Sequence, residues 1–180
     1  MHPLVCLAKQ AVETFVNEGK IISLTDNLPK EFLVQKAGVF VTIEKNLRGL
    51  PRSDSKVLLR GCIGTYLPTK ENIAQEVIYN AIAAATEDYR FGPIQKEELP
   101  FLSYIVYILS KPELVKNIKE LDPKKYGVIV KTATKTGLLL PDLETVDSVE
   151  KQILIACQKA RINPIKENFL IYKFTVEKYQ

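Results

Sequence analysis

The sequence predicts an α+β fold, with helices packed on antiparallel sheets, from two features of its residue pattern. Runs of β-branched and aromatic residues follow one another without the regular intervening helices that a parallel sheet needs for its crossovers. The helical segments carry apolar residues three and four positions apart, so each has one face to bury. At 180 residues, the chain is long enough for a single domain with one core or with two lobes.

The chain opens with a predicted helix. Apolar residues recur at helical spacing over residues 4–18, and Gly19 is placed to end the helix. Residues 28–36 are predicted to form a loop that leads into the first strand.

A hairpin followed by a helix is predicted next. The β-branched run 39–44 and the run 57–66 are expected to pair as antiparallel strands. Between them, residues 46–56 are polar and rich in turn formers, so the chain is expected to reverse there. Residues 73–87 form the strongest predicted helix, with an alanine-rich stripe that allows close packing on a sheet.

The rest of the chain is predicted to be rich in strands. A short helix is expected to start at Lys111-Pro112-Glu113, because proline is tolerated in a first helical turn. A longer helix is expected over 149–160, capped by Asp147 or Ser148. The last strand is expected to close the chain. The predicted strands are 103–109, 128–131, 137–141 and 169–174.

Composition indicates a globular cytoplasmic protein. Hydrophobic residues make up 46% and charged residues 26% of the chain, which is ordinary for a folded domain. No apolar run is long enough to span a bilayer, and the start lacks the pattern of a secretory signal. The net charge of +4 is spread among acidic residues, so we expect neither a nucleic-acid nor a membrane partner.

The cysteines and the single histidine restrict the possible chemistry. Cys6, Cys62 and Cys157 are widely spaced and form no CxxC pair, which is typical of thiols in a reducing compartment. Cys6 and Cys157 are predicted to pack in the core. Since His2 is the only histidine, we expect no zinc site, no serine triad and no cysteine–histidine dyad. We therefore predict no metal and no cofactor.

Residues 59–65 form the candidate site. In a regular strand Arg60, Cys62 and Gly64 would share one face, and Gly61 would lie on the other. Glycines in a strand indicate a bulge or the close approach of another group. A nearby guanidinium favours the thiolate form of a cysteine. Cys62 is then either an inert buried residue or a thiol that contacts a ligand or reacts.

The charged neighbours of this strand leave alternatives open. Arg60 either pairs with Glu44 or Asp88 or contacts an anionic ligand, because a buried arginine needs a partner. Glu44, on the partner strand, is the nearest acidic candidate for a base. Asp88 and Arg90 either cap the preceding helix or belong to the site.

At this point the sequence resembles one family. Leu59-Arg60-Gly61-Cys62-Ile63-Gly64 matches the six-residue signature of the AMMECR family, and the resemblance covers roughly residues 35–162. The other matching segments follow in the family's order: Gly38–Thr42, Ala81–Phe91, Glu98-Leu99, Leu109–Glu113, Tyr126–Val128 and Gly137–Pro141.

Three features depart from the family pattern. Tyr89 stands where the family usually has proline, and Lys159-Ala160-Arg161 replaces Lys-Ala-Gly, which puts the turn after the last helix in doubt. The segment 46–56 is longer than the family's usual approach to the signature. None of these departures alters the signature itself.

The resemblance implies a fold and the place of a site. It implies an α+β domain, here residues 1–180, of two unequal lobes with antiparallel sheets, the larger lobe holding both termini. It implies that the signature side chains face a wide cleft between the lobes, suited to a protein or peptide. The candidate cleft residues are Arg60, Gly61, Cys62, Gly64, Glu44 and Arg90.

The resemblance implies no defined activity. Genes of the family lie near or are fused to those of a radical SAM enzyme and a MEMO-type protein, which implies a role in a modification pathway. Our first hypothesis is an accessory binding protein for a protein, peptide or modified molecule. The alternative is an enzyme that uses Cys62 as its nucleophile.

Overall fold

The protein is represented by a computed structural model that describes residues 1–24, 28–46 and 57–180. Its helices are α1 (Pro3–Glu18), α2 (Lys30–Val34), α3 (Ile73–Thr86) and α4 (Val149–Ala160), with short 3₁₀ helices at Lys96–Phe101 and Ile118–Glu120. Its strands are β1 (Gly38–Asn46), β2 (Val57–Thr65), β3 (Leu102–Leu109), β4 (Glu113–Leu114), β5 (Gly127–Lys131), β6 (Thr136–Leu139), β7 (Leu170–Phe174) and β8 (Val176–Tyr179).

The chain divides into two compact units. The first unit comprises residues 1–108 and 177–180, and the second comprises residues 109–176. Each contains helices and one four-stranded sheet, ordered β2-β1-β3-β8 in the first and β4-β7-β5-β6 in the second. The pairs β1–β2, β4–β7, β5–β6 and β5–β7 are antiparallel. The predicted α+β class with antiparallel sheets is confirmed.

In the first unit α3 packs against β1 and β2, and α1 packs against α3. The apolar stripe of α1 is buried as predicted, and the helix ends at Gly19, whose φ of 70° is left-handed. Helix α3 begins at Asn72, whose side chain accepts a hydrogen bond from the Gln75 N–H at 2.9 Å. Its small residues Ala81, Ala84 and Ala85 are fully or almost fully buried, so the helix lies close to the sheet.

The second unit packs α4 on its own sheet. The helix is capped by Ser148, which accepts from the Lys151 N–H, while Asp147 forms an exposed ion pair with Lys151. Cys157 is fully buried in the core, as predicted. The helix ends at Arg161 with φ 54°, a left-handed conformation that favours glycine. Arg161, at the position where the resemblance implies a glycine, therefore adopts the left-handed conformation that ends the helix.

The sequence predictions for residues 28–36, for residues 111–113 and for Cys6 are wrong. Residues 28–36 are not all loop, because Phe32 is buried and Lys30–Val34 form the one-turn helix α2. The predicted helix at residues 111–113 is instead the start of β4, because Glu113 pairs with Lys173 of β7. Cys6 is exposed, since it lies on the side of α1 opposite the buried stripe.

The predicted last strand does not close the chain. After Thr175 the chain continues as β8, an end strand of the first unit's sheet. Its Tyr179 ring stacks on His2, with ring centroids 4.0 Å apart. The predicted turn at 46–56 lies outside the described residues, except for Asn46. None of the described helices is long and apolar enough to span a membrane.

Candidate functional site

A β-bulge in the signature determines where its side chains point. The pairing of β1 with β2 steps from Ile43 opposite Gly61 to Glu44 opposite Leu59, so Arg60 is the extra residue of the bulge. Gly61 faces the backbone of Ala84 in α3. The Arg60 side chain reaches the segment that follows α3.

Cys62 lies on the other face of the sheet. Its thiol accepts a hydrogen bond of 3.2 Å from the Thr42 hydroxyl, and Thr42 lies between the core residues Val41 and Ile43 on β1. The prediction that Arg60 and Cys62 share a face is therefore wrong, because the bulge adds one residue between them and breaks the alternation of the strand.

Arg60 forms a fixed structural clamp. Its Nε and Nη2 atoms donate to the two carboxylate oxygens of Glu98, each at 2.9 Å. Its Nη1 and Nη2 atoms also donate to the carbonyl oxygens of Gly92, at 3.0 Å, and Pro93, at 3.2 Å. Only 12% of the Arg60 side chain is exposed. Neither predicted partner, Glu44 or Asp88, is used, and the guanidinium is occupied within the protein.

Glu98 is held in its charged form by two cations. Hydrogen bonds from Arg60 lower its pKa to about 2 against the opposing effect of burial, with a further contribution from Lys45. The Lys45 ammonium donates to the carboxylate at 2.8 Å. Glu98 therefore ties β1, β2 and the 3₁₀ helix before β3 together.

Asp88 covers the outer edge of β2. Its carboxylate accepts the Cys62 N–H at 2.9 Å and two hydrogen bonds from the Arg90 guanidinium, at 2.7 and 2.9 Å. The hydrogen bonds from Arg90 lower the pKa of Asp88 to about 2, although burial opposes this. The cap of α3 is Glu87. The prediction that Asp88 and Arg90 cap that helix is therefore wrong, and both belong to the signature's surroundings.

Arg90 and the Cys62 N–H bind the same carboxylate, that of Asp88. The pKa of Arg90 is raised, first by hydrogen bonds to Asp88 and to a lesser extent by the charge of Cys62. Arg90, and not Arg60, is therefore the candidate for a cation near the thiol, and the stabilisation of the Cys62 thiolate stays a prediction.

Gly64 and Glu44 have different surroundings from Arg60. A side chain at Gly64 would overlap the Phe40 ring on β1, so this glycine makes room for an aromatic side chain. Glu44 follows the bulge and lines a separate cavity with Lys9 and Tyr104. Of the predicted site residues, Arg90 therefore lies beside Gly61 and Cys62 of the signature. Glu44 instead lines the separate cavity.

The sequence analysis missed Glu76 as well as Glu98. Glu76 is buried in α3 and accepts hydrogen bonds from the Thr65 hydroxyl at 2.7 Å and from the Thr69 and Lys70 N–H groups, each at 2.8 Å. Burial would raise the pKa of Glu76, but these hydrogen bonds together lower it. The sequence feature that could have indicated Glu76 is an acidic residue within the apolar stripe of a predicted helix. Glu76 fixes the end of β2 to α3.

The surface beside the signature is apolar. Val57, Leu58 and Leu59 follow one another on β2 and are between 42% and 47% exposed. Tyr89 is 94% exposed and Phe91 is 38% exposed. Asp88 and Gly92 contact β2 at Cys62 and Arg60, so the residues between them flank the same strand. We call these five side chains the β2 surface. Among the described residues, no group of acidic, histidine or cysteine side chains is arranged to hold a metal.

Comparison with known proteins gives a match along almost the whole chain. The family model AMMECR1 matches residues 5–179. A Thermotoga maritima protein is 50% identical over 99% of this chain and 98% of its own length. A Clostridium acetobutylicum protein is 42% identical over 99% of this chain, which spans 36% of that protein.

A solved structure agrees with the fold. The crystal structure of an uncharacterised protein from Pyrococcus horikoshii matches with a TM-score of 0.85 and 33% identity. The match covers 97% of this chain and 88% of that one.

Proposed function

The chain belongs to the AMMECR1 family, and we propose that it is a binding module that takes up an extended segment of a partner protein along β2. We place this partner in the modification pathway with a radical SAM enzyme and a MEMO-type protein that the family resemblance implies. The observation that carries the proposal is the β2 surface, the run of exposed apolar residues on an end strand beside Tyr89 and Phe91.

An end strand with three consecutive exposed apolar side chains is unusual in a protein that needs no partner. Natural sheets normally protect such edges with charges, prolines or covering segments, because an open edge can pair with another chain. Asp88 covers β2 at Cys62, whereas Val57, Leu58 and Leu59 have no charge among them. Pairing of a peptide with β2 would bury these side chains and supply main-chain hydrogen bonds.

The turn beside the β2 surface is tied to the strand, which favours binding. The Arg60–Glu98 clamp and the Asp88–Cys62 hydrogen bond fix the turn that carries Tyr89 and Phe91. A turn whose backbone is already fixed has less conformational freedom to lose when a partner covers it. We therefore assign to the signature a structural role in presenting this surface.

The charge of the surroundings indicates the chemistry of the partner. The ion pairs around the signature contain three cations, Lys45, Arg60 and Arg90. They contain two carboxylates, Asp88 and Glu98, so one positive charge is left over. The Arg90 side chain is 44% exposed. We propose an extended peptide with apolar residues at alternating positions and an acidic residue that reaches Arg90.

Selection from a random peptide library tests this proposal. We expect peptides enriched on the wild-type protein to share alternating apolar residues and one acidic residue. Leu58→Lys and Tyr89→Ala should each weaken their binding at least about tenfold, because anchoring side chains at the centre of an interface carry most of its affinity. Fluorescence anisotropy with a labelled selected peptide gives the dissociation constants.

The control is Ile118→Lys, which changes a residue 50% exposed in the second unit. It should leave peptide affinity unchanged. Enriched peptides that bind Leu58→Lys and Tyr89→Ala as tightly as the wild type would refute the proposed site.

A second candidate function is catalysis by Cys62, whose N–H donates to Asp88, the carboxylate that also holds Arg90. Two features weigh against it. The main influence on Arg90 is Asp88, which accepts two hydrogen bonds from its guanidinium. The Thr42 hydroxyl, which donates to the thiol, cannot act as a base at neutral pH.

Alkylation with iodoacetamide separates the two functions. On the binding-module proposal, Cys62 in the folded protein should react no faster at neutral pH than the exposed Cys6. The variants Cys6→Ser and Cys62→Ser assign each rate by mass spectrometry. If Cys62 reacts about tenfold faster than Cys6, and Arg90→Gln removes that difference, the thiolate is activated and the enzyme hypothesis gains its chemical basis.

A further inference from the structure

The turn that follows α3 closes the edge of β2 next to its apolar residues. Asp88 in this turn accepts the main-chain N–H of Cys62 at 2.9 Å, so it occupies the edge at a point where a partner strand would otherwise hydrogen-bond. Later in the same turn, the carbonyl oxygens of Gly92 and Pro93 accept from the Arg60 guanidinium at 3.0 and 3.2 Å. The turn is therefore fixed against β2 at its bulge.

A strand that pairs with β2 before the bulge has to end or bend away at this turn. Val57, Leu58 and Leu59 form the part of the edge that precedes the bulge, and all three side chains are exposed. An internal segment of a partner would have to leave the sheet directly after pairing with these residues. The end of a chain needs no such bend, so the blocked edge favours a terminal segment.

Arg90 lies in the same turn and determines which terminus fits. Its Nε and Nη2 atoms donate to Asp88 at 2.9 and 2.7 Å, while its Nη1 atom makes no hydrogen bond in the described part of the chain. The Arg90 side chain is 44% exposed and that of Asp88 only 3%, so the exposed member of this ion pair is the cation. A guanidinium held in place with free donors binds a carboxylate by charge-assisted hydrogen bonds. A carboxyl terminus therefore suits this turn better than an amino terminus.

We propose that β2 binds the carboxyl-terminal segment of a partner protein, with the terminal α-carboxylate on Arg90. This inference rests on the proposed binding of a peptide along β2, and it places the acidic residue of that peptide at the end of the partner chain. The last residues of the partner pair with Val57–Leu59 and run parallel to β2, because their end lies on the Cys62 side. Their apolar side chains alternate in direction and pack on the β2 surface.

Three forms of one peptide, selected from a library displayed with free carboxyl termini, test the role of the terminus. They carry a free carboxyl terminus, a terminal amide, or two glycines added after the last residue. In fluorescence anisotropy the amide and the extended form should each bind at least about tenfold more weakly, because one lacks the terminal charge and the other moves it past Arg90. Equal affinities of the three forms, all weakened by Leu58→Lys, would overturn this inference but leave the peptide site in place. Affinities that Leu58→Lys does not weaken would overturn both.

Substitution of Arg90 assigns the contact to its guanidinium. On Arg90→Gln the free acid and the amide should bind with equal affinity, because the charge that distinguishes them is gone. Both peptides are compared on the same variant, so a general loss of stability affects them alike. The control is Lys36→Gln, since Lys36 also forms an ion pair in the first unit, with Glu71 at 3.2 Å. It should keep the full preference for the acid, and an Arg90→Gln variant that also keeps it would contradict the proposed contact.

Discussion

Replacing Glu98 with alanine is expected to lower the free energy of unfolding by about 3 kcal/mol, the range seen when one partner of a buried ion pair is removed. The side chains of Arg60 and Glu98 are only 12% and 15% exposed, so the loss of Glu98 leaves the Arg60 guanidinium poorly solvated. Lys45 loses the same partner. Glu98→Gln should cost less, because the amide oxygen still accepts one hydrogen bond.

Urea denaturation followed by circular dichroism measures this loss. Glu71→Ala is the matched control, since the Glu71 side chain is 82% exposed in its ion pair with Lys36. An exposed pair contributes about 0–1 kcal/mol, so this control should be nearly neutral. The double variant Arg60→Ala/Glu98→Ala should be less destabilised than the sum of the single variants, because the partners are lost together. Full additivity would show that the clamp contributes no coupling energy.

The carboxylates of Glu98 and Asp88 make the free energy of unfolding depend on pH. The pKa of Glu98 and that of Asp88 are each lowered to about 2 in the folded protein. In the unfolded chain these carboxyl groups titrate at about 4, so their stabilising effect is fully present above about pH 5. It is lost as the pH falls from about 4 toward 2, because the folded state must then bind protons at these sites. Glu98→Ala should therefore flatten the fall in melting temperature over this range.

The hairpin could be predicted from the sequence, but the direction of Arg60 could not. β-branched residues and a polar connection indicate two paired strands, and the observed antiparallel register agrees with them. Alternation then places Arg60 and Cys62 on one face, which a single bulge residue reverses. Two glycines in the strand indicated an irregularity there, yet they did not specify which residue it would add.

The partners of the signature were missed because they are distant in sequence. Glu98 lies 38 residues after Arg60 and is brought to it by the turn after α3. The sequence analysis favoured Glu44 as the partner of Arg60, because Glu44 is acidic and lies on the partner strand of the same hairpin. After the bulge, however, Glu44 faces the cavity that Tyr104 lines. Choosing among several carboxylates requires the positions of the backbone, which local pattern does not contain.

Replacing Gly61 with alanine is expected to destabilise the protein by about 3 kcal/mol or more, at or above the usual cost of overpacking a core. A Cβ atom at this position would overlap the carbonyl oxygen of Ala84 in α3. The atom that must move is in the backbone, and Glu76 holds α3 to the end of β2 by its hydrogen bond to Thr65. The signature glycine therefore sets the closest approach of β2 to the helix.

Two comparisons distinguish this overlap from the general effect of losing a glycine. Gly19→Ala should cost only about 1 kcal/mol, because Gly19 has a left-handed φ of 70° but open space around it. Adding Ala84→Gly to Gly61→Ala should not restore stability, since the obstructing atom is a main-chain oxygen and not the Ala84 side chain. Gly61 is next to Arg60, the bulge residue of β2, so a movement of β2 away from α3 also displaces the bulge. Gly61→Ala should therefore also abolish peptide binding along β2. Equal melting temperatures for Gly61→Ala and the wild type would contradict this account of the signature.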